Sequence, residues 1–95
     1  IYSVERGLLA PAARTEVLDV LETLGLPLWA PELERRHPDG RLVVLDGLAE
    51  FREHLGGELT VTLLAGIGHG VEVHEMDTTL VGCAIEQLRD RRPDR

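Results

Sequence analysis

Glycine and proline divide this chain of 95 residues into short pieces, and that division caps the length of any element it can form. Gly7 ends the opening segment Ile1-Tyr2-Ser3-Val4, which reads as an apolar helix end. Pro11 suits the first position of a helix, where its missing N–H would have no partner anyway. Gly25 suits the position just past a helix end, and Pro27 forbids resumption. Between them Val17, Val20, Leu21 and Leu24 follow the i, i+3, i+4, i+7 spacing of a buried stripe, with Glu16, Asp19 and Glu22 turned away. A helix is therefore predicted over 11–24.

The connector Leu26-Pro27-Leu28-Trp29 is apolar, with Trp29 placed to plug it onto the core. One helical turn is expected over 31–35, and His37-Pro38-Asp39-Gly40 reads as a turn. Residues 42–45, Leu-Val-Val-Leu, fit either a short strand or a helix entry. Asp46 suits the N-cap of a helix running to Leu55, with Leu48, Phe51 and Leu55 as its apolar face. Gly56-Gly57 stops that helix. From Glu58 to Leu64 the pattern alternates, Leu59, Val61 and Leu63 against Thr60 and Thr62, and Val71-Glu72-Val73-His74 alternates again. With the glycine-rich Gly66-Ile67-Gly68-His69-Gly70 between them, these read as a β-hairpin that needs helices behind it. Asp77 suits the N-cap of a closing helix whose stripe is Leu80, Val81, Ala84, Ile85 and Leu88. The sum is one small domain, mainly α, with three or four helices around one hairpin.

Composition narrows the function. The apolar fraction of 43% suits a packed domain and exceeds that of disordered chains. Tyr2, Trp29 and Phe51 are the only aromatics, so Leu, Val, Ile and Ala must build the core. The net charge of −7 argues against a nucleic-acid partner, and no apolar run is long enough to cross a bilayer. All ten cations are Arg, a usage expected of a GC-rich bacterial genome. The stretch Arg89 to Arg95 reads as a solvated, fraying helix end. The single cysteine, Cys83, excludes an internal disulfide and suits a reducing cytoplasm, where it is expected to act as a small packing residue. The chain opens without Met inside an apolar segment, from which a cut through a longer protein is expected.

The order of elements resembles the C-terminal part of 3-dehydroquinate synthase and related sugar phosphate cyclases. The likeness lies in Leu24-Gly25-Leu26-Pro27, a helix ending at Gly56-Gly57, Glu58-Leu-Thr-Val-Thr-Leu-Leu64, Gly66-Ile67-Gly68, Val71-Glu-Val73, Glu75-Met76-Asp77 and a closing helix. It covers nearly the whole chain, and its specificity comes from the concatenation. The resemblance implies a partial helical C-terminal domain over 1–95. The parent's NAD-binding domain and metal-ligand segment would precede Ile1. It implies an enzyme that oxidises a hydroxyl of a seven-carbon sugar phosphate, eliminates phosphate, returns the hydride and closes a carbocycle. NAD and a divalent metal, zinc or cobalt, would serve the intact parent. The parent would be a cytoplasmic homodimer, and the chain alone, binding neither cofactor, would be inactive.

One departure concerns substrate. Where that family carries paired lysines before the glycine turn, this chain reads Phe51-Arg52-Glu53-His54-Leu55-Gly56-Gly57. The substitution is similar to that in 2-epi-5-epi-valiolone synthases. It makes His54 the first candidate for substrate binding and Arg52 the second. Against these stand plainer roles, a His favoured near a negative helix C-terminus and an Arg paired with Glu50 or Glu53. His69 and His74 with Glu72, Glu75 and Asp77 could suggest a metal, but zinc wants three or four converging ligands and a solvated face is expected. Gly66 to Gly70 is not a dinucleotide loop, because a strand rather than a helix is expected to follow it. Two other identities compete: a freestanding helical module that binds a protein partner through Leu26–Trp29, and an inactive gene remnant.

Overall fold

A computed structural model describes residues 1–54 and 56–91. Its elements, in order, are α1 (Tyr2–Glu5), α2 (Pro11–Thr23), a 3-10 turn (Pro31–Glu34), α3 (Leu45–His54), β1 (Val61–Gly66), β2 (His69–Val73) and α4 (Thr78–Asp90). The mainly helical fold with one antiparallel hairpin is as expected.

The helix ends are those the glycines announce. Gly25 has φ +78°, donates to the Glu22 carbonyl and leaves the Leu26 amide to reach the Leu21 carbonyl. Gly56, at φ +83°, repeats the device on α3: it donates to Glu53 O, and Gly57 donates to Arg52 O at 2.8 Å. A residue with a Cβ is strained in this left-handed conformation, whereas glycine enters it freely. At the other kind of end, the Asp77 carboxylate accepts from the amides of Thr79 (3.0 Å) and Leu80 (3.2 Å) and starts α4. Asp77→Ala is expected to cost about 1 kcal/mol in urea unfolding, and Asp77→Asn only a small part of that. Equal stability of all three proteins would show that the cap contributes nothing.

The core is thin. Among the described residues, Leu9, Leu18, Leu42, Leu59 and Ile85 are its buried apolar side chains, with Ser3 the buried polar one. Three long-range bonds tie α1 to the rest. The Ser3 hydroxyl accepts from the Leu64 amide at 3.2 Å, the Tyr2 hydroxyl from the Asp77 amide at 2.8 Å, and Glu5 from the Gln87 side chain at 2.8 Å. Arg89 binds Glu34 and Arg91 binds Asp19 and Glu22, so α4 is fastened at its C-terminal end rather than frayed there. The expectation for residues 92–95 falls outside the described residues.

Several expectations need correction. The buried face of α2 centres on Leu18, while Val20 and Leu24 are 53% and 68% exposed. The helix is turned so that Leu18 and Arg14 share a cleft with Gln87 and Arg91 of the closing helix. Asp46 is not an N-cap: α3 begins one residue earlier, and the Asp46 carboxylate instead meets His37 at 2.7 Å. Phe51 is 46% exposed, so the inward face of α3 is Leu45 and the expected Leu48, and Leu55 lies outside the described residues. Of the two readings of residues 42–45, the helix entry holds: Leu42 makes only an isolated bridge with Arg36, and Val43 and Val44 turn into α3. Glu58 to Thr60 precede β1 rather than forming part of it, although Leu59 is buried. His69 opens β2 opposite Gly66 instead of lying in a loop.

The hairpin has one irregularity. Val61 pairs with Val73, Thr62 with Glu72, Leu63 with Val71 and Leu64 with Gly70, then Gly66 pairs with His69. Ala65 is the extra residue of a β-bulge. Gly68 turns the chain at φ +76°, while Gly70 is glycine for a different reason, since a Cβ there would sit 3.1 Å from the Thr62 methyl.

In the loop before α3, Arg41 donates to Asp39 through both its side chain (2.8 Å) and its backbone amide (3.0 Å). These bonds hold the Asp39 carboxyl below its ordinary value. Its interaction is complete above about pH 4 and is lost as pH falls through the lower folded midpoint. An NMR titration should place that midpoint below those of free surface carboxyls, and Arg41→Ala should return it to the ordinary range. An unchanged midpoint in the variant would remove Arg41 as the cause.

Candidate functional site

Two grooves run along α3, the larger one between it and α4. The larger, about 610 Å³, contains Arg36, Arg41, Asp46, Cys83 and Glu86. Its cations are already engaged: Arg36 donates to the Gly40 carbonyl at 2.7 Å, and Arg41 binds Asp39 and lies 3.8 Å from Asp46. A ligand there would have to break existing bonds. Cys83 is half-buried on its wall.

The smaller groove, about 380 Å³, is chemically more open. Its apolar side is Leu45, Leu48, Ala49, Leu59 and Met76, and its polar groups are Arg52, His74, Glu75 and Thr78. Arg52 reaches it from the last turns of α3, a position set by the Gly57–Arg52 backbone bond that ends the helix. Among the described residues Arg52 has no hydrogen-bond or ion-pair partner, so the pairing with Glu50 or Glu53 does not form. A guanidinium with open donors beside an apolar wall is suited to a bidentate anion such as a phosphate or carboxylate.

His74 enters from the chain just past β2. Its Nδ1 lies 2.9 Å from the Leu59 carbonyl, 3.2 Å from Glu58 Oε1 and 3.3 Å from Thr60 Oγ1. The side chain is therefore held across the hairpin and does not pair with Glu72. Among the described residues no three His, Cys, Asp or Glu side chains converge as metal ligands, and no helix is long and apolar enough to cross a membrane.

Of the two positions singled out in the sequence, Arg52 lines this groove. His54, the last residue of α3, is exposed and is not among the lining residues. His74 was read as a solvated strand residue. Its link to Leu59 follows from hairpin register, which the alternation of the two strands leaves open by one residue.

Compared with models of protein families, with curated proteins and with solved structures, the chain matches none.

Proposed function

We propose that this chain supplies one wall of the substrate pocket of a sugar phosphate cyclase. The parent would be of the 3-dehydroquinate synthase type, converting a seven-carbon sugar phosphate to a carbocycle with loss of phosphate. The observation that carries the reading is Arg52, a cation without a partner among the described residues, set in a groove with His74 and an apolar floor. A sugar phosphate offers the matching chemistry: a dianion for the guanidinium, hydroxyls for hydrogen bonding and a carbon skeleton for the Leu side. The order of elements, from the Leu24–Pro27 turn through Gly56-Gly57 and the hairpin to α4, supports the same family.

The described residues bring no metal-ligand cluster together, and the glycine-rich segment Gly66–Gly70 leads into β2 rather than a helix N-terminus. In this proposal NAD and the divalent metal belong to other parts of a cytoplasmic, homodimeric parent. Equilibrium dialysis of this chain is expected to find no saturable one-to-one binding of NAD or zinc. Phosphate release from a seven-carbon sugar phosphate is expected of the parent and not of the chain alone. Stoichiometric cofactor binding by the chain, or a parent that leaves every such substrate untouched, would overturn the reading.

A second reading has its own observation. Val20, Leu24 and Leu26 are all exposed at one end of α2, as a module that binds a protein partner would require. Leu24→Asp separates the two: it should leave sugar phosphate binding intact under the first reading and abolish association under the second.

A further inference from the structure

The geometry points to His74 as a substrate-contacting residue whose ring is locked with Nδ1 protonated, leaving Nε2 to accept a hydrogen bond from a hydroxyl of the sugar phosphate. This inference rests on the proposed function for the identity of the ligand, and on the hairpin for the state of the ring.

A carbonyl oxygen only accepts, so the 2.9 Å contact between His74 Nδ1 and Leu59 O requires the hydrogen to sit on Nδ1. Glu58 Oε1 at 3.2 Å accepts from the same N–H and favours the same tautomer. The Thr60 hydroxyl, at 3.3 Å, can turn its oxygen lone pair toward that hydrogen as well. Three oxygens thus surround Nδ1, while Nε2 has no partner among the described residues. In the neutral ring Nε2 then carries the lone pair. A histidine held on one nitrogen by a carbonyl and a carboxylate, with the other nitrogen free, is the arrangement by which proteins orient an imidazole toward a ligand.

Position completes the argument. His74 lines the groove that holds Arg52, so a ligand whose phosphate engages the guanidinium keeps its hydroxyls within the same cleft. The two residues divide the ligand between them. Arg52 recognises charge, and His74 distinguishes a polyhydroxylated chain from a bare anion. Inorganic phosphate should engage the first and not the second.

The experiment uses the full parent protein labelled with 15N-histidine, with His74→Asn identifying the His74 signals by their loss. Long-range proton–nitrogen spectra are expected to show a single Nδ1–H tautomer at His74. A seven-carbon sugar phosphate should shift the Nε2 signal, and inorganic phosphate at equal occupancy should not. His74→Asn retains an amide N–H near the Leu59 carbonyl but has no ε nitrogen, so it should fold normally and bind the sugar phosphate about threefold to tenfold more weakly. His74→Gln, which reverses that loss, should recover part of the affinity. An averaging ring, or normal affinity in His74→Asn, overturns the inference and leaves the proposed function standing. Absence of any sugar phosphate binding, by the unaltered protein as well, overturns both.

Discussion

Ile85→Ala is expected to lower the unfolding free energy by about 2–4 kcal/mol. Ile85 is 7% exposed in the middle of α4 and borders a small apolar cleft with Leu33, Val44, Leu48, Met76 and Val81. Truncation removes three carbons from a place where α3, α4 and the 3-10 turn meet, and the surrounding residues come from separate elements that close up only in part. A domain of this size has stability on the order of 5 kcal/mol at the low end, so the loss is a large share of the total. The thin core sharpens the expectation, because few other buried side chains can compensate. Urea denaturation measures it directly. Leu24→Ala is the control: at 68% exposure it should change stability by less than about 0.5 kcal/mol. Similar losses in the two variants would mean that the α4 face is not the core.

Under the proposed function, Arg52→Ala should weaken binding of a sugar phosphate by the parent about tenfold to a hundredfold, the range for losing charge-assisted hydrogen bonds. Stability should hardly move, because Arg52 is exposed and has no partner among the described residues to leave behind. Arg52→Lys should fall between, keeping the charge and losing the planar fork. The loss should shrink as salt is raised, since the contact is with an anion at an open groove. An unchanged affinity would take Arg52 out of the site. His54→Ala in the same assay distinguishes the two positions ranked by sequence. A comparable loss of affinity puts His54 on the substrate. A loss only of stability, about 0.3–1 kcal/mol, assigns it to the negative end of α3.

What could be read in advance follows from how local each determinant is. Gly25, Gly56 and Asp77 act through their own backbone or the next turn, so the ends of α2 and α3 and the start of α4 were legible to within a residue. The face of α2 was not. Val17 and Leu21 belong to both candidate stripes, and the choice between Leu18 and Val20 with Leu24 is made by α4, some 70 residues along the chain. Asp46 has the chemistry of a cap, but the pull of His37 and Arg41 across the loop gives its carboxylate other partners. The hairpin was legible as an element and not in register. Pairing the strands symmetrically about Ile67 and Gly68 would set His74 opposite Val61. The bulge at Ala65 moves the partner by one residue, to Thr60, and nothing in the alternation of Val61 to Leu64 announces it. The site inherits that gap. Arg52 could be singled out because it lies beside the glycine turn, whereas His74 depends on the one-residue shift.

The ties of Tyr2, Ser3 and Glu5 to Asp77, Leu64 and Gln87 also have a consequence in time. During synthesis these early residues leave the ribosome long before their partners exist, and closing loops of 61 to 82 residues carries an entropic cost that local helices do not face. Such distant contacts slow the final docking step and leave α1 without its partners until the hairpin and α4 have been made.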